Sequence, residues 1–415
     1  MTELRRTIDA VWRIESAKLV ACLARMVRDV GLAEELAQDA LVAALETWPV
    51  SGVPDNPGAW LTATAKRRAI DVLRRHAMLA RKHQVMGAGE PDHALADLDA
   101  LLDDPIGDER LRLVFIACHP LLPVDARVAL TLRLLGGLTT DEIARAFLTP
   151  EPTVAQRIVR AKRALADAHV PFELPAATEL AERVASVLEV LYLIFNEGYA
   201  ATAGDDWTRP ALCEEALRLG RVVAELAPSE AEVHGLVSLM EIQASRLAAR
   251  RGPTGEPVLL LDQDRARWDW LLVGRGLAAL DRAERLGHAP RGPYVLQASI
   301  AACHARAKTA DATDWRRIAE LYAELVEVVP SPVIELNRAM AVAMADGPEA
   351  GLAIVDGLCD VPRLASYHLL PSARGDLLAR LGRNAEARDE FERAASMTRN
   401  TREREVLLGR ARALA

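Results

Sequence analysis

The sequence predicts an all-α protein. Apolar residues make up 51% of the chain but aromatic residues only 4%, and alanine, leucine, arginine and glutamate dominate. This composition is typical of helices that pack through small side chains. Few windows alternate β-branched or aromatic residues with polar ones, so no sheet is expected. The 415 residues are enough for two or three domains with cores of their own.

Residues 4–83 predict three helices, over 4–30, 32–48 and 57–82. Segment 49–57 holds three prolines and a glycine and should form a loop. The third helix has an apolar stripe that includes Trp60, which is expected in the core rather than as a base-stacking ring. Between residues 57 and 75 its other faces carry five cations: Lys66, Arg67, Arg68, Arg74 and Arg75. Such a helix can bury one face and lie along a phosphate backbone with the other, although a solvated basic helix remains the alternative.

Segment 108–169 predicts a helix-turn-helix. Thr139 and Glu142 form a capping box before a short helix, and Thr149 is expected to cap the next one. The core face of that second helix should hold Val154, Ile158, Ala161 and Leu165. Its outer face should present Thr153, Gln156, Arg157, Arg160 and Arg163, with Lys162 at the margin. Arginine and glutamine read base edges and lysine and threonine hold phosphates, but a helical hairpin in a solenoid could also look like this.

From residue 175 onward the chain predicts further helices separated by proline and glycine. Segment 377–396 is similar to a tetratricopeptide helix-turn-helix unit with Gly382 in the turn, and segments 217–228 and 337–358 are weaker echoes of it. Several such units must stack to bury their apolar faces. A group of charged residues surrounds Trp268 and is expected to form a surface ion-pair network: Asp262, Asp264, Arg265, Arg267 and Asp269.

Charge, cysteines and apolar runs narrow the class of protein. The net charge is −8, so any nucleic-acid surface must be local. Five widely separated cysteines predict reduced thiols in a cytoplasmic protein, and Cys118–His119 lacks a second ligand pair for a metal. No signal peptide or membrane span is expected, because the most apolar run, 184–195, is short and contains Glu189. With neither a phosphate-binding loop nor a nucleophile-base grouping, no catalytic residue and no cofactor are predicted.

Three stretches in a fixed order resemble a known family. They are AEELAQDALVAALETW (33–48), PGAWLTATAKRRAIDVLRR (57–75) and GLTTDEIARAFLTPEPTVAQRIVRAKRAL (137–165). Together they resemble regions 2 and 4 of bacterial extracytoplasmic-function RNA polymerase sigma factors. The rest is similar to a tetratricopeptide-like extension of one branch, through LYLIFNEGYAA (191–201), QDRARWD (263–269) and SPVIELNRAMAVA (331–343). The resemblance implies region 2 at 1–85, an acidic linker at 86–107, region 4 at 108–172 and a regulatory extension at 175–415.

The resemblance also implies partners and roles for residues. Core RNA polymerase would be bound through its β′ clamp helices and β flap, with Glu35, Leu36, Gln38, Asp39 and Leu41 on the clamp. Asn56 in the loop after Trp48 would contact a flipped base of the minus-ten promoter element, and the five cations of the third helix would follow the opening strand. The outer face of the helix-turn-helix would contact the minus-thirty-five element of promoter DNA. The acidic linker would occupy the RNA channel of the polymerase, unless it is a plain solvated tether.

Two other functions stay open at the level of sequence. A one-component regulator could combine the helix-turn-helix with a tetratricopeptide-like sensor, but this would leave the basic helix at 57–75 without a role. An enzyme using Asn196, Glu197, Tyr199 and His234 is disfavoured because their spacing matches no known site. On the sigma-factor interpretation the extension could regulate the chain in cis, so no obligatory anti-sigma partner is expected. The charged group around Trp268, or Asn196–Glu197, is the candidate contact with the sigma modules.

Overall fold

A computed structural model describes residues 3–84, 107–147, 149–176, 178–200, 208–252, 256–287, 291–398 and 400–414. The helices in these residues are α1 (Glu3–Val27), α2 (Val30–Ser51), α3 (Pro57–Gln84), α4 (Gly107–Ala117), α5 (Val124–Leu134), α6 (Thr140–Ala146), α7 (Glu151–Asp167), α8 (Leu180–Tyr199), α9 (Pro210–Leu226), α10 (Ala231–Ala244), α11 (Trp270–Leu286), α12 (Pro293–Arg306), α13 (Trp315–Val328), α14 (Pro332–Ala345), α15 (Pro348–Leu358), α16 (Leu369–Arg380), α17 (Asn384–Met397) and α18 (Thr401–Arg412). No strand occurs within the described ranges, which confirms the all-α prediction.

The chain forms two compact units, residues 1–190 and 191–415, and the division falls inside α8. The acidic linker predicted at 86–107 lies outside the described residues, apart from Gly107, which begins α4. The sequence-based domain limits stay predictions. Across the parts of the chain that are described, no helix is both long and apolar enough to span a bilayer.

Helices α1, α2 and α3 pack together as a three-helix bundle in the first unit. Fully buried alanines, such as Ala24, Ala40 and Ala65, line their contacts and let the backbones approach closely. The first turn comes earlier than predicted: α1 ends at Val27, and α2 begins at Val30 because the Asp29 carboxylate accepts the amide of Leu32 at 2.9 Å.

The loop predicted at 49–57 is shorter than expected, because α2 continues through Pro49 to Ser51. Proline removes one helical hydrogen bond, but here only a few residues of helix follow it. Gly52, with φ +82°, closes the helix by donating its amide to the Trp48 carbonyl at 3.0 Å. Trp48 is 1% exposed and meets Trp60 edge to face, with ring centroids 5.4 Å apart, so this end of α2 is anchored in the core.

Helices α4 to α7 form the predicted helix-turn-helix module. The capping box is present, since the Thr139 amide donates to the Glu142 carboxylate at 2.8 Å and the Glu142 amide donates to the Thr139 hydroxyl at 3.2 Å. All four residues predicted for the core face of α7 are buried. The capping role of Thr149 was wrong: Pro150 precedes the first helical residue, and the Thr149 hydroxyl donates to the Phe147 carbonyl.

The second unit is built from the end of α8 and helices α9 to α18, with consecutive helices packed on one another. In the predicted tetratricopeptide-like segment, α16 and α17 are joined through Gly382 at φ +72°, and Ala387, Phe391 and Ala394 are buried. The echo at 337–358 is also two helices, α14 and α15, with Gly347 at φ +107° between them. The echo at 217–228 instead lies mostly in the single helix α9.

Candidate nucleic-acid interface

The cations of α3 differ in how freely they face solvent. Arg67, Arg74 and Arg75 are exposed, whereas Lys66 is half-buried. Arg68 forms an ion pair with Asp39 of α2, with 3.4 Å between nitrogen and oxygen. This pair joins a residue predicted to bind DNA to one predicted to bind polymerase. Of the five cations predicted to contact DNA, Arg67, Arg74 and Arg75 are the ones most available to a phosphate backbone.

Asn56 caps α3. Its side-chain oxygen accepts the amide of Ala59 at 3.0 Å, and its carbonyl accepts the amide of Trp60 at 3.2 Å. The side chain is exposed, at the end of the short loop after Gly52. Asn56 therefore fixes where the basic helix begins.

Helix α2 has one buried and one outward face. Leu36 is 4% exposed and belongs to the core, while Glu35 and Asp39 are exposed and Gln38 and Leu41 are half-buried. Leu45 is 37% exposed, because its position follows the outward face. Sequence reasoning missed Val42, which is 50% exposed. The signal was the helical spacing of positions 35, 38, 42 and 45, which puts these residues on a single face.

The outer face of α7 is exposed at Thr153, Gln156, Arg160 and Arg163, as predicted. Three of its cations have ion-pair partners: Arg157 with Asp125 at 3.1 Å, Arg163 with Asp167 at 3.5 Å, and Lys162 with Glu34. The first two pairs are solvent-exposed and weak, so these arginines can exchange their partners for phosphates or bases.

Lys162 is different, because its partner Glu34 is buried. The Glu34 side chain is 5% exposed, lies on α2, and also accepts the Arg133 guanidinium of α5 at 2.6 Å. Gln38 donates its amide to the same carboxylate. A second interhelix pair, Arg25 with Glu109 at 2.9 Å, joins α1 to α4. The α1–α3 bundle and the helix-turn-helix module are thus held together by buried or half-buried ion pairs.

Sequence reasoning missed the residues of this contact. Glu34 lies within the apolar stripe of α2, beside Ala33 and Ala37, and an acidic residue in such a stripe signals a buried partner. The partners themselves could not be found, because helical periodicity says nothing about which distant residue meets a given face. Lys162, predicted to position the helix on DNA, pairs with Glu34 of α2 in this structure, and its role at DNA stays a prediction.

The first half of α8 packs on the helix-turn-helix module. Arg127 of α5 donates to Ser186 and pairs with Glu189 at 3.0 Å. Ser186 in turn donates to the Cys118 carbonyl, and Arg183 donates to the Phe115 carbonyl at 2.7 Å. The start of the predicted extension is therefore part of the first unit.

The charged residues around Trp268 do not form the expected ion-pair network. Asp264 and Asp269 instead accept amides of their own turns, from Ala266 at 2.9 Å and from Leu271 at 3.0 Å. Arg267 donates to backbone carbonyls, and within the described ranges none of the group pairs with another member. These residues shape the backbone of a tight segment, so the expectation of surface ion pairs was wrong.

The residues considered for an enzyme have separate structural partners. Glu197 pairs with Arg209, and His234 shares a hydrogen bond of 3.0 Å with the Pro228 carbonyl. Tyr199 stacks on Phe195, with ring centroids 5.8 Å apart. Cys118 is buried, and His119 accepts the amide of Leu121 through Nδ1. Where the chain is described, no group of acidic, histidine or cysteine residues is arranged to hold a metal.

Comparison with known protein families agrees with this layout. Residues 14–78, which include most of the α1–α3 bundle, match sigma-70 region 2, and residues 112–165 match sigma-70 region 4. Residues 183–284 match a family of unknown function. This match does not confirm the predicted similarity to tetratricopeptide units.

Individual relatives extend the comparison. An uncharacterized protein of Rhizobium meliloti is 43% identical over 392 residues, covering 92% of this chain and 90% of that protein. The ECF RNA polymerase sigma factor SigK of Mycobacterium ulcerans is 33% identical over 153 residues, which are 36% of this chain and 78% of that protein. The RNA polymerase sigma-H factor of Pseudomonas aeruginosa is 29% identical over 40% of this chain and 88% of that protein. With regions 2 and 4 in this order and this identity to SigK, the chain belongs to the ECF family of RNA polymerase sigma factors.

Proposed function

We propose that this sigma factor binds core RNA polymerase through the outward face of α2. In the same proposal, α3 contacts the minus-ten promoter element and α7 contacts the minus-thirty-five element. The observation that carries the proposal is the presence of three exposed faces in one unit, each matched to one of these partners. The chain would act in the cytoplasm, with the polymerase, and as a specificity subunit rather than a catalyst.

The outward face of α2 suits a protein partner. Val42 and Leu45 are exposed apolar residues, and the acidic residues Glu35 and Asp39 flank them. Apolar side chains ringed by charge are the usual anatomy of a protein interface. We propose the β′ clamp helices as the partner of this face, with the half-buried Gln38 and Leu41 at its edge and Leu36 supporting it from the core.

The two DNA faces are local exceptions in an acidic chain. Arg67, Arg74 and Arg75 on α3, and Arg160 and Arg163 on α7, are exposed although the net charge of the protein is −8. Positive charge on one face of a helix attracts the phosphate backbone, while arginine and glutamine of α7 can read base edges in a major groove. Asn56, which holds the start of α3, is the proposed contact for a base leaving the stack.

The proposed function requires the first unit to open. Two promoter elements about 25 base pairs apart are separated by about 85 Å of duplex at 3.4 Å per base pair. In this structure α7 touches α2 through Lys162 and Glu34, so the two DNA-binding modules lie side by side. The ion pairs of Glu34 must therefore break when the protein occupies both elements on the polymerase. We propose that the second unit regulates this step from within the same chain.

Run-off transcription with purified core polymerase on a pool of genomic promoter fragments tests the proposed function. Transcripts from templates that share two upstream elements are the expected result. A chain ending after Ala200 tests the regulatory part, because it retains all of α8 and its contacts with Phe115, Cys118 and Arg127. A cut near residue 176 would remove these contacts, so a loss of activity could then come from a destabilised helix-turn-helix module instead of from lost regulation.

Each outcome separates one part of the proposal. Equal transcript yields from the full chain and the shortened chain would remove the regulatory role but leave the sigma function. No transcript from either chain, together with DNA binding in the absence of polymerase, would instead identify a one-component regulator with a helix-turn-helix.

A further inference from the structure

In the second unit, two arginines and a histidine with little solvent exposure cluster around Trp268. Arg246 follows α10 and is 3% exposed, and His304 near the end of α12 is 8% exposed. Arg265 is half-buried in a short 3₁₀ turn, Arg265–Arg267. Both guanidinium groups contact the ring of Trp268, with Cζ-to-centroid distances of 5.6 Å for Arg246 and 4.7 Å for Arg265. Residues distant in the chain thus bring positive charge to one buried place.

These arginines lack acidic partners. Within the described ranges, neither Arg246 nor Arg265 pairs with an aspartate or glutamate. Arg246 donates to the side-chain oxygen of Gln243. Arg265 donates to the backbone carbonyls of His304 and Ala307, at 2.6 Å in both cases. Buried charge without a counter-charge is costly, and a buried arginine is normally paired. Nothing in the hydrogen bonding of these two residues supplies that counter-charge.

The same cluster holds nitrogen atoms without hydrogen-bond partners. They are Nε of Arg246, Nη2 of Arg265, Nδ1 of His304 and Nε1 of Trp268, all buried. A buried donor that is left without an acceptor costs roughly 1–3 kcal/mol, and such atoms are rare in folded proteins. Their concentration around a single indole ring indicates that an acceptor belongs there.

Burial lowers the pKa of both arginines and of the histidine in the cluster. For Arg246, burial is the largest effect and Arg250 adds to it, although Tyr199 and Tyr322 act in the opposite direction. Burial together with Arg246 lowers the pKa of Arg265. Burial and both arginines lower the pKa of His304 from 6.5 to about 4. The interior here resists any further positive charge and would stabilise a negative one.

We propose that Arg246, Arg265, His304 and Trp268 form a binding site for the carboxylate or phosphate group of a small molecule. The planar guanidinium groups and the free N–H donors match the oxygen atoms of such a group. An oxyanion would also supply the missing counter-charge. Trp315, whose ring is 5.1 Å from that of His304, offers an aromatic wall for the rest of the ligand. This site goes beyond the sigma function and would give the second unit a chemical signal to detect.

Hydrogen exchange measured by mass spectrometry on the full chain tests the site directly. Inorganic phosphate and acetate are titrated separately at constant ionic strength, with chloride as the reference anion. Binding should slow exchange in peptides covering 263–270 and 300–308, by about tenfold when the anion is at about ten times its Kd. The arm that responds, phosphate or acetate, identifies the anionic group.

Variants separate binding from general salt effects. Arg246→Met should abolish the anion-dependent protection, whereas Arg316→Met, which removes an arginine that is 79% exposed, should retain it. Arg265→Gln tests the same site if Arg246→Met does not fold. Protection that matches the chloride reference in the wild-type chain, or that is the same in the wild type and in both site variants, would overturn the proposal.

Discussion

Arg157 and Arg160 lie one turn apart on the outer face of α7, and differ in their surroundings. Arg157 is 3.1 Å from Asp125, whereas Arg160 is exposed and, as far as the structure describes the chain, has no ion-pair partner. An exposed pair such as Arg157–Asp125 contributes little to stability. Either arginine can therefore be replaced without loss of the fold, so its contribution to DNA binding can be measured separately.

Arg157→Ala is expected to weaken holoenzyme binding to its promoter by about 1–3 kcal/mol and to relax the preference at one base pair, because a bidentate base contact is lost. Competition binding against templates altered at single positions of the minus-thirty-five element measures this change. Asp125→Ala is the control, since it frees Arg157 without removing it. Equal weakening on every template, with a shallower salt dependence, would mean that Arg157 holds only phosphate.

His304 should make the stability of the second unit depend on pH. Burial, Arg246 and Arg265 hold its pKa at about 4 in the folded state, against an ordinary value of 6.5. The unfolded chain therefore binds the extra proton first, and folding stability is lost as the pH falls from 6.5 towards 4. The full loss is about 3 kcal/mol, and about 2 kcal/mol of it should appear by pH 5.

The comparison with His304→Gln isolates this effect, because glutamine does not titrate. Denaturant unfolding of wild type and variant at pH 7 and pH 5 should show the wild type losing more stability than the variant. Equal losses in both proteins would contradict the assignment of this pH dependence to His304.

At the scale of a single helix, α2 offers the clearest test of polymerase binding. Val42→Glu should change the free energy of unfolding little, since the valine is 50% exposed, but should weaken binding to core polymerase by tenfold or more (about 1.4 kcal/mol). Ile14→Glu on α1 is the matched control, because Ile14 is 66% exposed on the same bundle. Fluorescence anisotropy with labelled protein gives both affinities, and equal losses in the two variants would remove α2 as the binding face.

Helical periodicity predicted which side chains are buried better than it predicted where helices end. The apolar stripe of α7 was predicted residue by residue, because burial repeats every three or four positions in any helix that packs on a core. The ends of helices were less predictable. Pro49 looked like a helix breaker, yet the buried Trp48 and the Gly52 amide sustain the last turn of α2. Tertiary packing at that point outweighs the local cost of proline.

On the scale of the whole first unit, the contact between α2 and α7 should control activity. A Cβ atom placed on Gly31 would lie 4.0 Å from the Cβ of Lys162, which is within the range of roughly 3.5–4.5 Å found in disulfides. The double variant Gly31→Cys, Lys162→Cys should therefore form a disulfide, with a small shift of the Asp29 carboxylate, which caps α2 and lies 3.0 Å from the new atom.

Oxidation of this double variant is expected to abolish run-off transcription, and reduction should restore it, because the cross-link holds region 4 against region 2. Each single variant, treated in the same way, controls for the five native cysteines and for the loss of Lys162. Full activity of the verified cross-linked protein would show that the two regions need not separate.

The all-α fold, the inward and outward faces of α3 and α7, and the resemblance to sigma factors were all predictable from the sequence, because they depend on residues that are neighbours along the chain. Which charged side chains have an ion-pair partner could be seen only in the tertiary structure. Glu34 and Lys162 became partners, and Arg246 was buried without one, through packing between distant helices. Periodicity states which face of a helix is buried, whereas the partner of a buried charge depends on how the helices assemble.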